Sequence, residues 1–134
     1  MLDEISIVPF KFKYFASLVE LLNSNSSKDA HLISMKSLPK IGYMALMNGH
    51  PIAAGFLRRV EGGYGQIDTL ASNRHFGSLI RHEGIKKVVD ELINEAKLLK
   101  LHGIISYTHD DGILKRAQTL GFQESISTVI TLKL

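Results

Sequence analysis

From Ile85 onward the apolar positions recur at helical spacing: Ile85, Val88, Val89, Leu92, Ile93, Ala96 and Leu99 form one stripe, and Lys86, Lys87, Asp90, Glu91, Asn94, Glu95 and Lys97 face away. This pattern predicts a long amphipathic helix packed on one side, with a left-handed stop at Gly103. Elsewhere the pattern is that of strands. Ile41 to Met47 and Ile52 to Val60 flank Asn48-Gly49, a pair that tolerates positive φ and marks a tight hairpin. Glu61-Gly62-Gly63 then turns into a third strand, Tyr64 to Ala71, so these strands are expected to form an antiparallel meander. Ile5 to Phe10 reads as a short strand, and Phe12 to Leu22 as a helix through Phe15, Leu18, Val19 and Leu22. Asn23 to Ser27 breaks that helix. Ser26 or Ser27 can cap a second one that runs toward Ser37 and ends at Leu38-Pro39.

Ser72 to Ile80 is a polar, mixed connection, and the chain is expected to enter the long helix through Arg81-His82-Glu83-Gly84-Ile85-Lys86. Beyond that helix, Gly103 to His109 is a strand, Asp110 or Asp111 caps a short helix through Leu120, and Ser127 to Leu134 is a closing strand. A strand, a long helix and a strand in succession imply a crossover that joins parallel strands inside an otherwise antiparallel sheet. The expected fold class is therefore α/β: a mixed sheet flanked by helices, a meander followed by a parallel β-α-β unit. The strands holding Asp68 and Ser106 should be parallel neighbours.

Composition narrows this picture. The chain has 134 residues, 45% hydrophobic and 22% charged, enough for one core, and residues 1–134 read as a single domain. Its formal charge is +3 and its pI about 9.2, but the basic residues are spread along the chain. Polyanion wrapping is therefore weakly supported, and a small anionic ligand fits the balance equally well. The absence of Cys rules out disulfide frameworks and thiolate metal sites and is compatible with a reducing compartment. An acidic start, Met1-Leu2-Asp3-Glu4, and no apolar run of spanning length lead to the expectation of a soluble, cytoplasmic protein with no membrane partner.

A glycine-bearing loop feeding a helix presents unpaired N–H groups and a positive dipole end, the requirement for holding a phosphate. This makes Arg81 to Lys86 the expected anion site. The competing reading is a capped helix that merely packs on a sheet. Other chemistry is poorly represented. His82-Glu83 lacks the later His of a zinc-protease helix, and His109-Asp110-Asp111 reads as a helix cap, so no metal is expected. Gly62-Gly63-Tyr64-Gly65 precedes a strand, which makes it a turn and not a dinucleotide loop. Arg58 and Arg59 alternate across a strand without stacking aromatics, which disfavours nucleic acid.

In element order, Ile41 to Phe122 resembles the GNAT superfamily of acyl-CoA-dependent N-acyltransferases. The family's phosphate loop reads Arg or Gln, two residues, Gly, one residue, Gly or Ala; Arg81 and Gly84 match it and Lys86 departs. Glu95-Ala96-Lys97 before Gly103, and the later Leu120-Gly121-Phe122, are also similar. The long connection before Arg81, with Ser72-Asn73 after the strand, is similar to acyltransferase-like proteins of bacteriophages. The resemblance implies that the amides of Arg81, His82, Glu83, Gly84, Ile85 and Lys86 hold the coenzyme A pyrophosphate, and that Leu70, Ala71 and Ser72 pair with the pantetheine arm. Where the family often places a Tyr to protonate the leaving thiolate, this chain has Ala117. Tyr107, His109 and His102 are substitutes near the last strand, and Asp68 is the candidate base. The function implied is acetyl transfer from acetyl-CoA to an amine that the sequence does not identify, with a homodimer allowed. The alternative is a non-catalytic member binding coenzyme A or a protein partner.

Overall fold

The computed structural model describes residues 4–25, 35–107, 111–125, 130 and 132. Strands β1 (Ile5–Pro9), β2 (Ile41–Met47), β3 (His50–Val60), β4 (Tyr64–Ser72) and β5 (Gly103–Ser106) form one sheet in sequence order. The first three pairings are antiparallel and β4 with β5 is parallel, the mixed sheet expected from the crossover. Asn48 and Gly49, at φ 52° and 82°, make the β2–β3 turn, the conformation that a two-residue hairpin matched to strand twist requires.

Helix α1 (Phe15–Ser24), entered through a 3₁₀ turn at Phe12–Tyr14, covers one face of the sheet. Its Leu18 and Leu21 are fully buried with Met44, Ala54 and Phe56. Helix α2 (Ser78–Leu98) covers the other face, where Val88, Val89, Leu92 and Ala96 pack on Ala53, Leu57 and Ile67. Because both faces are covered, β3 is buried without a break from Pro51 to Leu57 and loses the alternation of a half-exposed strand. Helix α3 (Asp111–Thr119) follows β5, and Leu120 and Phe122 after it join the α2-side core. Across that face the Tyr43 hydroxyl donates to Glu95 Oε1 at 2.5 Å. The hydrogen bond, then burial and the nearby carboxylates, push the phenol up to about 12. Among the described residues no helix is long and apolar enough to cross a membrane.

Several boundaries depart from expectation. Helix α2 starts at Ser78, not after Glu83, so the polar connection shrinks to residues 73–77 and its remainder becomes helical turns. Lys100, not Gly103, takes the left-handed conformation at φ 57°, with Leu101 N donating to Ala96 O and Lys100 N to Lys97 O. This is a Schellman stop that tolerates a non-glycine residue. Strand β5 ends at Ser106. Met35 to Ser37 is a turn; the rest of the expected second helix, His109-Asp110 and most of the closing strand lie outside the described residues.

Candidate functional site

The sheet opens where β4 outruns its neighbour. Its pairing with β5 ends at Ile67 and Ser106, while β4 continues to Ser72 with no strand on that edge among the described residues. In the same stretch Phe56 lies opposite Asp68 but Ala54 opposite Ala71, so Thr69 and Leu70 together span Gly55. Thr69 takes up this bulge at φ 53°, a left-handed conformation that costs a β-branched residue on the order of 1–3 kcal/mol. Bulges end pairing and re-aim neighbouring groups. Here one leaves an extended strand edge that has no partner strand among the described residues and can pair with an extended, amide-bearing ligand. Leu70 packs toward α2 and Ala71 toward α1, and the Ser72 carbonyl already accepts from Asn25 Nδ2 at 2.7 Å.

Residues 73–77 lead from that edge to the start of α2. Gly77 is the N-cap, with extended backbone and no side-chain cap bond, and Arg81 N donates to Gly77 O at 3.1 Å. The amides of His82 to Lys86 are therefore engaged inside the helix, and the N–H groups without an intrahelical partner belong to Ser78, Leu79 and Ile80. The Arg, two residues, Gly spacing also occurs at Arg74 and Gly77, and this copy abuts the helix end. A helix start at Ser78 would have pointed to it.

The loop is held from below and from the side. Asn73, 4% exposed, donates its backbone N to Ile52 O and its Nδ2 to Pro51 O, while its Oδ1 accepts from His75 N. Asn25, at the end of α1, accepts from Arg74 Nε at 2.9 Å, and Ser24 Oγ accepts from Arg74 N at 3.0 Å. These bonds fix the path of the backbone into α2 before any ligand arrives.

The other expected residues are placed as follows. Gly84 packs against β3: a Cβ there would stand 2.7 Å from Ile52 Cγ2, so its close approach is to a strand within the core. Lys86 points to solvent on α2 and Ile85 packs on the core, whereas His82 and Glu83 are half-buried. Arg81 shares the helical spacing of Ile85, Val88 and Leu92, and its Nε is buried with no partner among the described residues, an arrangement that an anion would satisfy. Asp68 lies at the bulge, but its Oδ2 accepts from Arg58 Nε and Nη2 at 3.1 and 2.9 Å and its Oδ1 from Thr69 Oγ1. Tyr107, 62% exposed, follows β5 at the open end, while His102 sits at the opposite end of that strand, its N bonded to Gly63 O.

An apolar cavity of about 40 Å³ lies beside the end of the β4–β5 pairing, lined by Ile67, Leu70, Ile85, Val89, Ala117 and Phe122 among others. A wider groove of about 660 Å³ runs past His102, Gly103 and Gln123 at the start of β5. It is larger and shares Leu120 and Phe122 with the small cavity, but its described lining includes no residue of β4 and none of α2 before Ile93, so the small cavity marks the candidate site.

No protein-family model and no curated protein matches the sequence. The structure is similar to many solved ones. A GNAT-family acetyltransferase from Streptococcus pneumoniae superposes with a TM-score of 0.77 at 12% identity, covering 96% of this chain and 98% of that one. A Mycobacterium tuberculosis protein, solved in complex with CoA, gives 0.74 at 17% identity over 94% of this chain and 76% of that one. A ribosomal-protein-alanine N-acetyltransferase from Brucella melitensis gives 0.69 at 13% identity over 97% and 99%. The chain has the fold of the GNAT acetyltransferases.

Proposed function

We propose that the chain is an N-acyltransferase that takes an acyl group from acetyl-CoA or a related thioester and passes it to an amine. The observation that carries this reading is the juxtaposition at the end of β4: a bulged strand edge free of β5 leads through an anchored loop into an uncapped helix N-terminus. The unpaired amides of Ser78 to Ile80, with Arg74 and the unpartnered Nε of Arg81, suit a pyrophosphate. The edge at Leu70, Ala71 and Ser72 suits the amides of a pantetheine arm.

The thioester supplies an activated acyl carbon; a C–N bond forms as the C–S bond breaks, the amine loses a proton and sulfur leaves as thiolate. In this scheme the backbone at the bulge orients and polarises the carbonyl. Asp68 takes the amine proton through water at Oδ1, while Arg58 fixes the carboxylate by holding Oδ2. Tyr107, or solvent, returns a proton to the thiolate. A thiolate with a free pKa of about 8.5 leaves without strong assistance, so Ala117 is compatible with turnover.

The Arg58–Asp68 pairing favours one second reading, a coenzyme-binding domain without catalysis, because the carboxylate is already engaged. Two measurements separate these readings. CoA at one hundred times its dissociation constant should stabilise the fold by about 2.7 kcal/mol. Thiol release from acetyl-CoA over a panel of amines should rise with pH as the amine deprotonates, and should fall on the order of 10²-fold in Asp68→Asn. No thermal shift at millimolar CoA removes the coenzyme; binding without release leaves the non-catalytic domain.

A further inference from the structure

The small cavity carries information about the acyl group. It begins at Ile67 and Ser106, the last paired residues of β4 and β5, which is where the free strand edge starts. Among the described residues its lining, from β4, β5, α2, α3 and the residues just after α3, is aliphatic or aromatic apart from Ser106 and Arg116, and Ala117 is its smallest side chain. Atoms facing an unfilled apolar space forfeit dispersion contacts, and water gains little there without polar partners. The pantetheine amides suit it poorly for the same reason, since burying an amide without a hydrogen bond is costly. The fitting occupant is a short hydrocarbon chain.

At about 40 Å³ the cavity has room for about three water-sized groups, whereas an acetyl group offers a single methyl. We infer that the acyl donor carries a three- or four-carbon chain, propionyl or butyryl, and that Ala117 sets its length. This rests on the coenzyme reading above and uses the same displacement, the C–S bond of the thioester breaking as the C–N bond forms.

Titration calorimetry of the full chain with CoA and with acetyl-, propionyl-, butyryl- and octanoyl-CoA tests it. Each methylene that enters the cavity should tighten binding about fourfold, the equivalent of about 0.8 kcal/mol. Butyryl-CoA should therefore bind on the order of tenfold more tightly than acetyl-CoA, with no further gain for octanoyl. Ala117→Leu and Ile113→Phe, which fill the cavity by different routes, should bring acetyl- and butyryl-CoA to equal affinity; the second serves if the first does not fold. Equal affinity for the two thioesters in the unaltered protein, or a preference that survives both substitutions, overturns the inference and leaves the coenzyme reading intact. If neither CoA nor any thioester binds, both fall together.

Discussion

Substituting Gly84 and Gly77 separately should divide stability from coenzyme binding. A Cβ on Gly84 would stand 2.7 Å from Ile52 Cγ2 and 3.3 Å from Ala53 Cβ, whereas a Cβ on Gly77 would meet nothing within 4 Å. In Gly84→Ala, overpacking costs about 1–3 kcal/mol and the better helix propensity offsets about 1 kcal/mol, a net loss of roughly 0–2 kcal/mol. Gly84→Val presses a rigid branched side chain into the same methyl and should lose roughly 3 kcal/mol or more. For a chain of this size each kcal/mol corresponds to about 3–6 °C in Tm. Gly77→Ala weakens the N-cap by roughly 0.5–1 kcal/mol but restricts the unfolded chain by a similar amount, so its stability should barely change. Its effect should fall on the ligand. A methyl beside the Ser78–Ile80 amides displaces an anion from charge-assisted hydrogen bonds worth about 1.5–3 kcal/mol each, so CoA affinity should drop tenfold or more. Urea denaturation gives the first quantity and calorimetry, well below each Tm, the second. A Gly84→Ala protein of unaltered stability that no longer binds CoA, or a Gly77→Ala protein that binds normally, would refute this placement of the phosphate site.

Asn73→Ala should cost about 1–3 kcal/mol in urea denaturation, because the buried Pro51 carbonyl loses its donor; it should also weaken CoA binding by loosening residues 73–77, and unchanged affinity would show that the loop needs no anchor. Tyr43→Phe tests the β2–α2 tie. The phenol is raised from 10.0 to about 12 in the fold, so its contribution, roughly 1 kcal/mol for a half-buried bond to a carboxylate, is present below pH 10 and lost as pH rises through about 12. Denaturation at pH 8 should separate the two proteins, and the gap should close toward pH 12; a gap that persists there would mean that packing rather than the hydrogen bond holds the contact.

What the sequence determined by itself was the set of elements whose signals are local. The Asn48-Gly49 turn sits between apolar runs, and the stripe from Ile85 to Ala96 repeats at helical spacing; both follow from short-range backbone preferences and periodic burial, as does the order of strands that made the crossover parallel. The tertiary structure decided the rest. Ser78 starts α2 after a glycine with no capping side chain, so nothing local marks the boundary, and the amides without an intrahelical partner precede the Arg81–Lys86 motif. Gly84 fits the motif, but its neighbour is Ile52 on β3, a contact that no spacing rule contains. The bulge at Thr69 appears at a residue that disfavours left-handed backbone, because the strand's register on both sides, not its own propensity, sets the conformation there. Arg58 with Asp68 lies 10 residues apart in sequence and Asn25 with Arg74 49 residues apart. Those pairs become neighbours only when the sheet assembles, since a polar side chain's partner is chosen by folding and leaves no periodic trace in the chain.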